Sequence, residues 1–226
     1  MLRERLHDTA IELHHILSQK NLRFGIFGGY AIAVMQGVRD TSDIDCLVSA
    51  SKDDVIEVLD GKGSFILLPS PRQDYALFHW RDLPTGRYPV QVKMFFTHFP
   101  EAIHTMEHLP SILLPITGRF GPGVSYFLDP FTLFKGKLRA AVGRERFYDS
   151  ADLRALAWRY EPIIKARARE LDPKTVGVLL KRYEEMTYLF DRLGVNIREA
   201  QRAAYGFYPD NYVVTPVGDV QYGLLA

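Results

Sequence analysis

The chain has 226 residues, 47% of them hydrophobic and 24% charged, the balance of an ordinary globular protein with a sizeable core. Lys and Arg number 28 against 27 Asp and Glu, so no global field draws in nucleic acid or a membrane surface, and any such contact needs a local patch. The single cysteine, Cys46, excludes an internal disulfide framework and fits a reducing, cytoplasmic setting.

Residues 3–20 place Leu6, Ala10, Leu13, Ile16 and Leu17 at three- and four-residue spacing, which predicts a helix with one apolar face. Its charge is wrong for a signal peptide. No apolar run approaches the roughly 18–20 residues needed to cross a bilayer, so no membrane partner is expected. "RFGIFGG" then reads as a short strand ending in a glycine pair, "YAIAVMQG" as a short helix stopped by Gly37, and "IDCLVSA" as the next strand. Ser51 caps a helix over "SKDDVIEVLDG", and Gly61 closes it. Further strands are expected at "SFILLP", "YALFHW" and "YPVQVKMFF", separated by the breakers "PSPRQD" and "DLPTGR".

From about residue 129 the pattern turns helical, with stretches at "DPFTLFKGKLRAAV", "YDSADLRALAWRYEPIIKARARELD" and "PKTVGVLLKRYEEMTYLFDRLG". The aromatic, proline-bearing tail from "YGFYPDNYVV" onward has no period and is expected to dock as extended chain. The fold class is therefore α/β (α+β): a small mixed sheet flanked by helices over 1–125, then a C-terminal helical module over 126–226.

The chemistry concentrates in "FGIFGGYAIAVMQGVRDTSDIDCLV". Adjacent glycines at 28 and 29 strip side chains from a strand-to-helix turn, so backbone amides and the positive end of the helix dipole can meet phosphate oxygens. Asp43 and Asp45 sit two apart on a strand and point the same way. Such a pair suits Mg²⁺, which takes a few carboxylates and completes its shell with water and phosphate oxygen. Plain turn chemistry at the glycines and a solvated strand edge at the aspartates are the bland alternatives. Arg39 could simply pair with Asp40 or Asp43.

The order Gly28, Gly29, Ala31, then Arg39, Thr41, Asp43, Ile44 and Asp45 resembles the nucleotidyltransferase superfamily, nearest its minimal, abortive-infection-toxin-like branch. The downstream Lys135, Lys137, Arg146, Asp149, Asp152 and Leu153 resemble that branch's lysine-bearing helix and its following Asp-x-x-Asp-Leu. The resemblance implies a nucleotidyltransferase-like sheet and a nucleoside triphosphate substrate. It implies Mg²⁺ held by Asp43 and Asp45, and nucleotide contacts from Gly28, Gly29, Arg39, Thr41, Lys135 and Lys137. The acceptor it implies is an RNA such as tRNA, a protein or a small molecule. Against this, Lys135 and Lys137 could be an exposed helix face, and Asp149 or Ser150 a helix cap.

One position departs from the pattern. Where the superfamily carries a third carboxylate on a later strand, "PVQVKMFF" has Lys93, with Gln91 two residues earlier on the same face. Asp74, Asp82 and Glu101 are the nearest candidates to replace that acid. If none does, Lys93 becomes the functional group, held by its two aspartates as a charge clamp, and the chain is a nucleotide, tRNA or partner-binding module or a repurposed enzyme acting on an aminoacylated RNA or metabolite. His104 and His108 share a helical spacing without the order of a zinc helix, and an amphipathic loop-helix is expected there. "KARARE", with Arg154, Arg159 and Arg182, reads as a solvated face before it reads as an RNA surface.

Overall fold

The computed structural model describes residues 2–36, 40–82, 88–143, 146–209 and 220–225. The chain divides into two compact units, 1–129 and 130–224. In the first unit, α1 (Leu2–Gln19) precedes β1 (Phe24–Phe27), α2 (Gly28–Gln36), β2 (Asp43–Val48), α3 (Lys52–Leu59), β3 (Phe65–Leu68), β4 (Tyr75–Trp80), β5 (Val90–Phe96), β6 (Ser111–Gly118) and β7 (Gly121–Leu128). The strands form one seven-stranded sheet in the order β3-β4-β5-β2-β1-β7-β6. β2 runs parallel to β5, β1 parallel to β7, and the remaining neighbours are antiparallel. This is a mixed α/β sheet.

Strand alternation sorts the residues. Ile44, Cys46 and Val48 of β2, Val92, Met94 and Phe96 of β5, and Ala76, Phe78 and Trp80 of β4 are all buried. Asp43, Asp45, Lys93, Phe95 and Tyr75 take the opposite face and stay half-buried. Helix α1 supplies Leu6, Ala10, Leu13 and Leu17 to the core, as its spacing predicts, and each such leucine contributes about 1.5–3 kcal/mol of transfer free energy. Ser51 does cap α3: its hydroxyl accepts from the Asp54 amide while the Asp54 carboxylate accepts from Ser51, a full capping box. The His14 ring packs among aromatics, 6.0 Å from the ring of Phe24 and 5.4 Å from that of Tyr126.

The strand patterns of 111–128 do not announce themselves, because Pro115, Pro122 and Gly123 interrupt them. They nevertheless form the longest hairpin of the sheet, paired from Ser111–Leu128 to Gly118–Gly121. The hairpin tip is tied down by charge. Arg119 bonds Asp8 at 3.4 Å and also Asp82, Arg5 reaches Asp82 at 3.2 Å, and the Phe120 amide donates to Asp8. In place of the loop-helix expected at His104–His108 the chain is irregular, with a single turn in which the Leu109 amide donates to the Met106 carbonyl at 3.1 Å.

The second unit is helical: α4 (Pro130–Gly143), α5 (Phe147–Arg159), α6 (Glu161–Ala166), α7 (Pro173–Arg182), α8 (Thr187–Arg192) and α9 (Ile197–Ala203). Two of the expected long helices are each broken in two. Pro162 enters at the first turn of α6 after Tyr160 leaves helical geometry, and Tyr183, at φ −131° and ψ 71°, ends α7. Helix α9 is short and capped by Asn196, whose side chain accepts from the Glu199 amide. In the tail, Gln221–Leu225 forms a single π-helical turn in place of extended chain, and residues 210–219 lie outside the described ones.

Candidate functional site

Sequence reasoning places Asp43 and Asp45 on one face of β2, and the structure puts them there, their side chains 28% and 23% exposed. The pairing between strands completes the site. Phe27, the last residue of β1, faces Asp45 across the antiparallel ladder. Asp45 faces Lys93 across the parallel one. The glycine turn follows at once. Gly28 takes φ +71°, and a Cβ there would run into Asp45 Oδ2. Only glycine both accepts this left-handed backbone and leaves the carboxylate its space. Helix α2 begins at Gly28, against Asp45, and the amides of its first turn lack intrahelical partners.

The Thr41 hydroxyl donates to Asp43 Oδ1 at 3.1 Å, which orients that carboxylate from two residues upstream. Lys93 donates to Asp43 Oδ2, and its ammonium stands 3.8 Å from Asp45 Oδ1. Burial pulls the Lys93 pKa down, but the hydrogen bond it donates to Asp43 and the charges of Asp45 and Asp43 outweigh it, so the group ends above its ordinary value. It is charged at neutral pH and has no capacity to act as a base there.

The acids suggested as replacements for the third carboxylate are engaged elsewhere or apart. Arg72 holds Asp74 in a two-pronged fork, at 2.9 and 2.6 Å. Asp82 belongs to the Arg5–Arg119 network. Glu101 is exposed in the irregular stretch after β5. Among the described residues no group of three or more His, Cys, Asp and Glu side chains gathers as a metal site. The two aspartates by themselves fit Mg²⁺, which needs only one or two protein carboxylates when phosphates supply further oxygens. Lys93 competes for the same oxygens.

Arg39 lies outside the described residues. Lys135 and Lys137 stand on α4 in the second unit. Lys137 is not on an exposed face: it is 7% exposed, and its ammonium binds Asp149 at 3.0 Å and Asp152 at 2.9 Å, both buried. Asp149 is therefore an ion-pair partner, and the N-cap position of α5 falls to Arg146. Cys46 is fully buried, and burial raises its thiol pKa far above the usual range, so it is inert.

Sequence reasoning missed the aromatic residues beside the acids. Phe95, two residues beyond Lys93 on β5, has its ring 5.4 Å from that of Phe27 and 5.2 Å from that of Tyr75. The same alternation that places Lys93 beside Asp45 could have found Phe95 and Tyr75, once the pairing of β4 with β5 was known.

No protein-family model and no curated protein matches the sequence. Solved structures do match. A nucleotidyltransferase-like antigen from Paracoccidioides brasiliensis superposes with a TM-score of 0.55 at 15% identity, over 82% of this chain and 92% of its own. MenT4, a nucleotidyltransferase toxin of Mycobacterium tuberculosis H37Rv, superposes with a TM-score of 0.53 at 18% identity, over 89% of this chain and 87% of its own. The fold of this chain is the nucleotidyltransferase fold.

Proposed function

We propose that this chain binds a nucleoside triphosphate at the Gly28–Asp45 end of the sheet and transfers its nucleotidyl group to an acceptor hydroxyl. The observation that carries the proposal is the paired, half-exposed Asp43 and Asp45 set directly against the positive-φ Gly28 at the head of α2. The first-turn amides of α2 would take the triphosphate, and Thr41 holds Asp43 in orientation. Mg²⁺ held by Asp43 and Asp45 would neutralise charge on the phosphates. Lys93, raised in pKa and on a flexible stem, is suited to exchange its aspartate partner for a phosphate oxygen once nucleotide enters. In the step itself the acceptor oxygen bonds to the α-phosphorus, the bond to pyrophosphate breaks with its electron pair, and the hydroxyl proton passes to solvent.

Calorimetry of ATP and GTP with and without Mg²⁺ tests this on the wild type and Asp45→Ala. The expected result is binding that needs Mg²⁺ and falls at least tenfold in the variant.

A second reading has its own observation in the Lys93–Asp43 pair. With an ammonium already between the two acids, the pocket would bind a nucleotide without metal and without transfer. Binding untouched by EDTA and by Asp45→Ala would establish that reading and remove the first.

A further inference from the structure

The aromatic row across β4, β5 and β1 lies beside the fully buried Leu47 and yet stays half-buried itself. The opposite sheet face already carries Phe78, Trp80, Val92, Met94 and Phe96 in full burial, whereas Tyr75, Phe95 and Phe27 lie on the face that carries the acids. Their ring centroids step 5.2 and 5.4 Å, each ring tilted by 57° or 58° to the next. Arg72 adds a fourth plane, its guanidinium 4.9 Å over the Tyr75 ring.

That guanidinium is built in place. Asp74 grips it through Nε and one terminal nitrogen. The chain that presents it is braced from α3, where the Lys52 ammonium donates to the carbonyls of Ser70 and Arg72, each at 2.7 Å. Arg72 remains 35% exposed. A forked, neutralised arginine lying on a tyrosine offers a flat surface for a second flat group, the arrangement with which proteins hold unstacked bases.

Position along the strands says which flat group. Phe27 faces Asp45, and the glycine turn follows Phe27. Tyr75 pairs with Phe95, one alternation beyond the Leu77–Lys93 pair, on the side of Asp45 that points away from Asp43 and from that turn. In nucleotidyl transfer the leaving pyrophosphate and the attacking oxygen stand on opposite sides of the reacting phosphorus. With the triphosphate on the glycine turn, the shelf lies on the attacking side.

We propose that Tyr75, Phe95 and Arg72 form the acceptor subsite, and that the acceptor hydroxyl is carried by a nucleoside whose base stacks on this shelf. The proposal rests on the nucleotidyl-transfer reading of the acids. Electrostatics agree with the proximity it needs: burial raises the Tyr75 hydroxyl pKa, while Lys93 and Arg72 pull it back and Asp45 and Asp43 push it further up.

The test uses the full chain saturated with Mg²⁺ and α,β-methylene-ATP, titrated with adenosine, with cytidine and with ribose as the probe that lacks a base. Both nucleosides are expected to bind at least tenfold more tightly than ribose. Tyr75→Leu and Phe95→Leu should erase that difference, Tyr75→Phe should keep it, and all three should bind the ATP analogue within about twofold of wild type. Nucleosides no better than ribose on the wild type overturn the subsite. So does a tenfold loss of analogue affinity in Tyr75→Leu, which would make the shelf a seat for the donor base. Failure of the wild type to bind the analogue shows in the first titration and overturns the nucleotidyl-transfer reading together with the subsite.

Discussion

Lys93 decides how the two aspartates behave. Its raised pKa comes from a folded-state partner, so the interaction stabilises the fold fully below the unfolded lysine value and is lost only as pH climbs through the higher folded value. Unfolding by denaturant should therefore show a Lys93-dependent fall in stability confined to strongly alkaline pH, absent in Lys93→Met. Replacing the lysine by an acid makes the sharper experiment. Lys93→Asp puts three carboxylates together and removes the competing ammonium, so Mg²⁺ affinity measured by calorimetry should rise at least tenfold. An unchanged affinity would mean that Lys93 does not compete with the metal. The acid pair and the glycine turn were legible in the sequence because both are local: spacing along one strand and a positive φ are written within three residues. The aromatic shelf was not, because Tyr75, Phe95 and Phe27 meet only through pairings of separate strands.

At the scale of elements, α4 and α5 are pinned to each other by an interior charge cluster. Lys137 on α4 meets Asp149 and Asp152 on α5, with all three buried. Leu133 and Leu138 on α4 and Leu153 and Leu156 on α5 are buried as well. Taking away Lys137 removes a buried cation from two buried carboxylates, a loss of roughly 3–5 kcal/mol. Lys137→Met should lower stability in guanidinium by that order, and a change below about 1 kcal/mol would show that water reaches the cluster. The sequence foresaw these lysines and aspartates as notable but not as partners, since an i, i+3 aspartate pair on one helix does not name the lysine it faces on another. Breaks inside the expected helices were hidden for a related reason. Pro162 is tolerated at a helix start, so its presence does not say whether it begins a helix or interrupts one. The β6–β7 hairpin escaped because Pro115 on the edge strand β6, and Pro122 and Gly123 at the start of β7, spoil the alternation that marks strands, though an edge and a strand's first residues tolerate them.

The whole first unit depends on a pairing between distant parts of the chain. β1 lies between β2 and β7, bonded antiparallel to the first and parallel to the second. The Gly28 turn grows directly out of that strand, so the candidate site hangs on a strand whose second neighbour is not made until residues 121–128. Synthesis runs from one end, and this order has a price for the nascent chain. While the ribosome works through residues 29–120, β1 and its apolar Phe24 and Ile26 form an open border, the kind of strand edge that recruits other chains. A chain stalled after residue 110 should thus be sticky, seen as retention by chaperones or as aggregation on release, whereas one stalled after complete emergence of β7 should not. Equal solubility of the two stalled chains would show that β1 is shielded by something other than β7 during synthesis. Translation speed between codons 29 and 120 then becomes a determinant of yield, a demand that the finished sheet no longer displays.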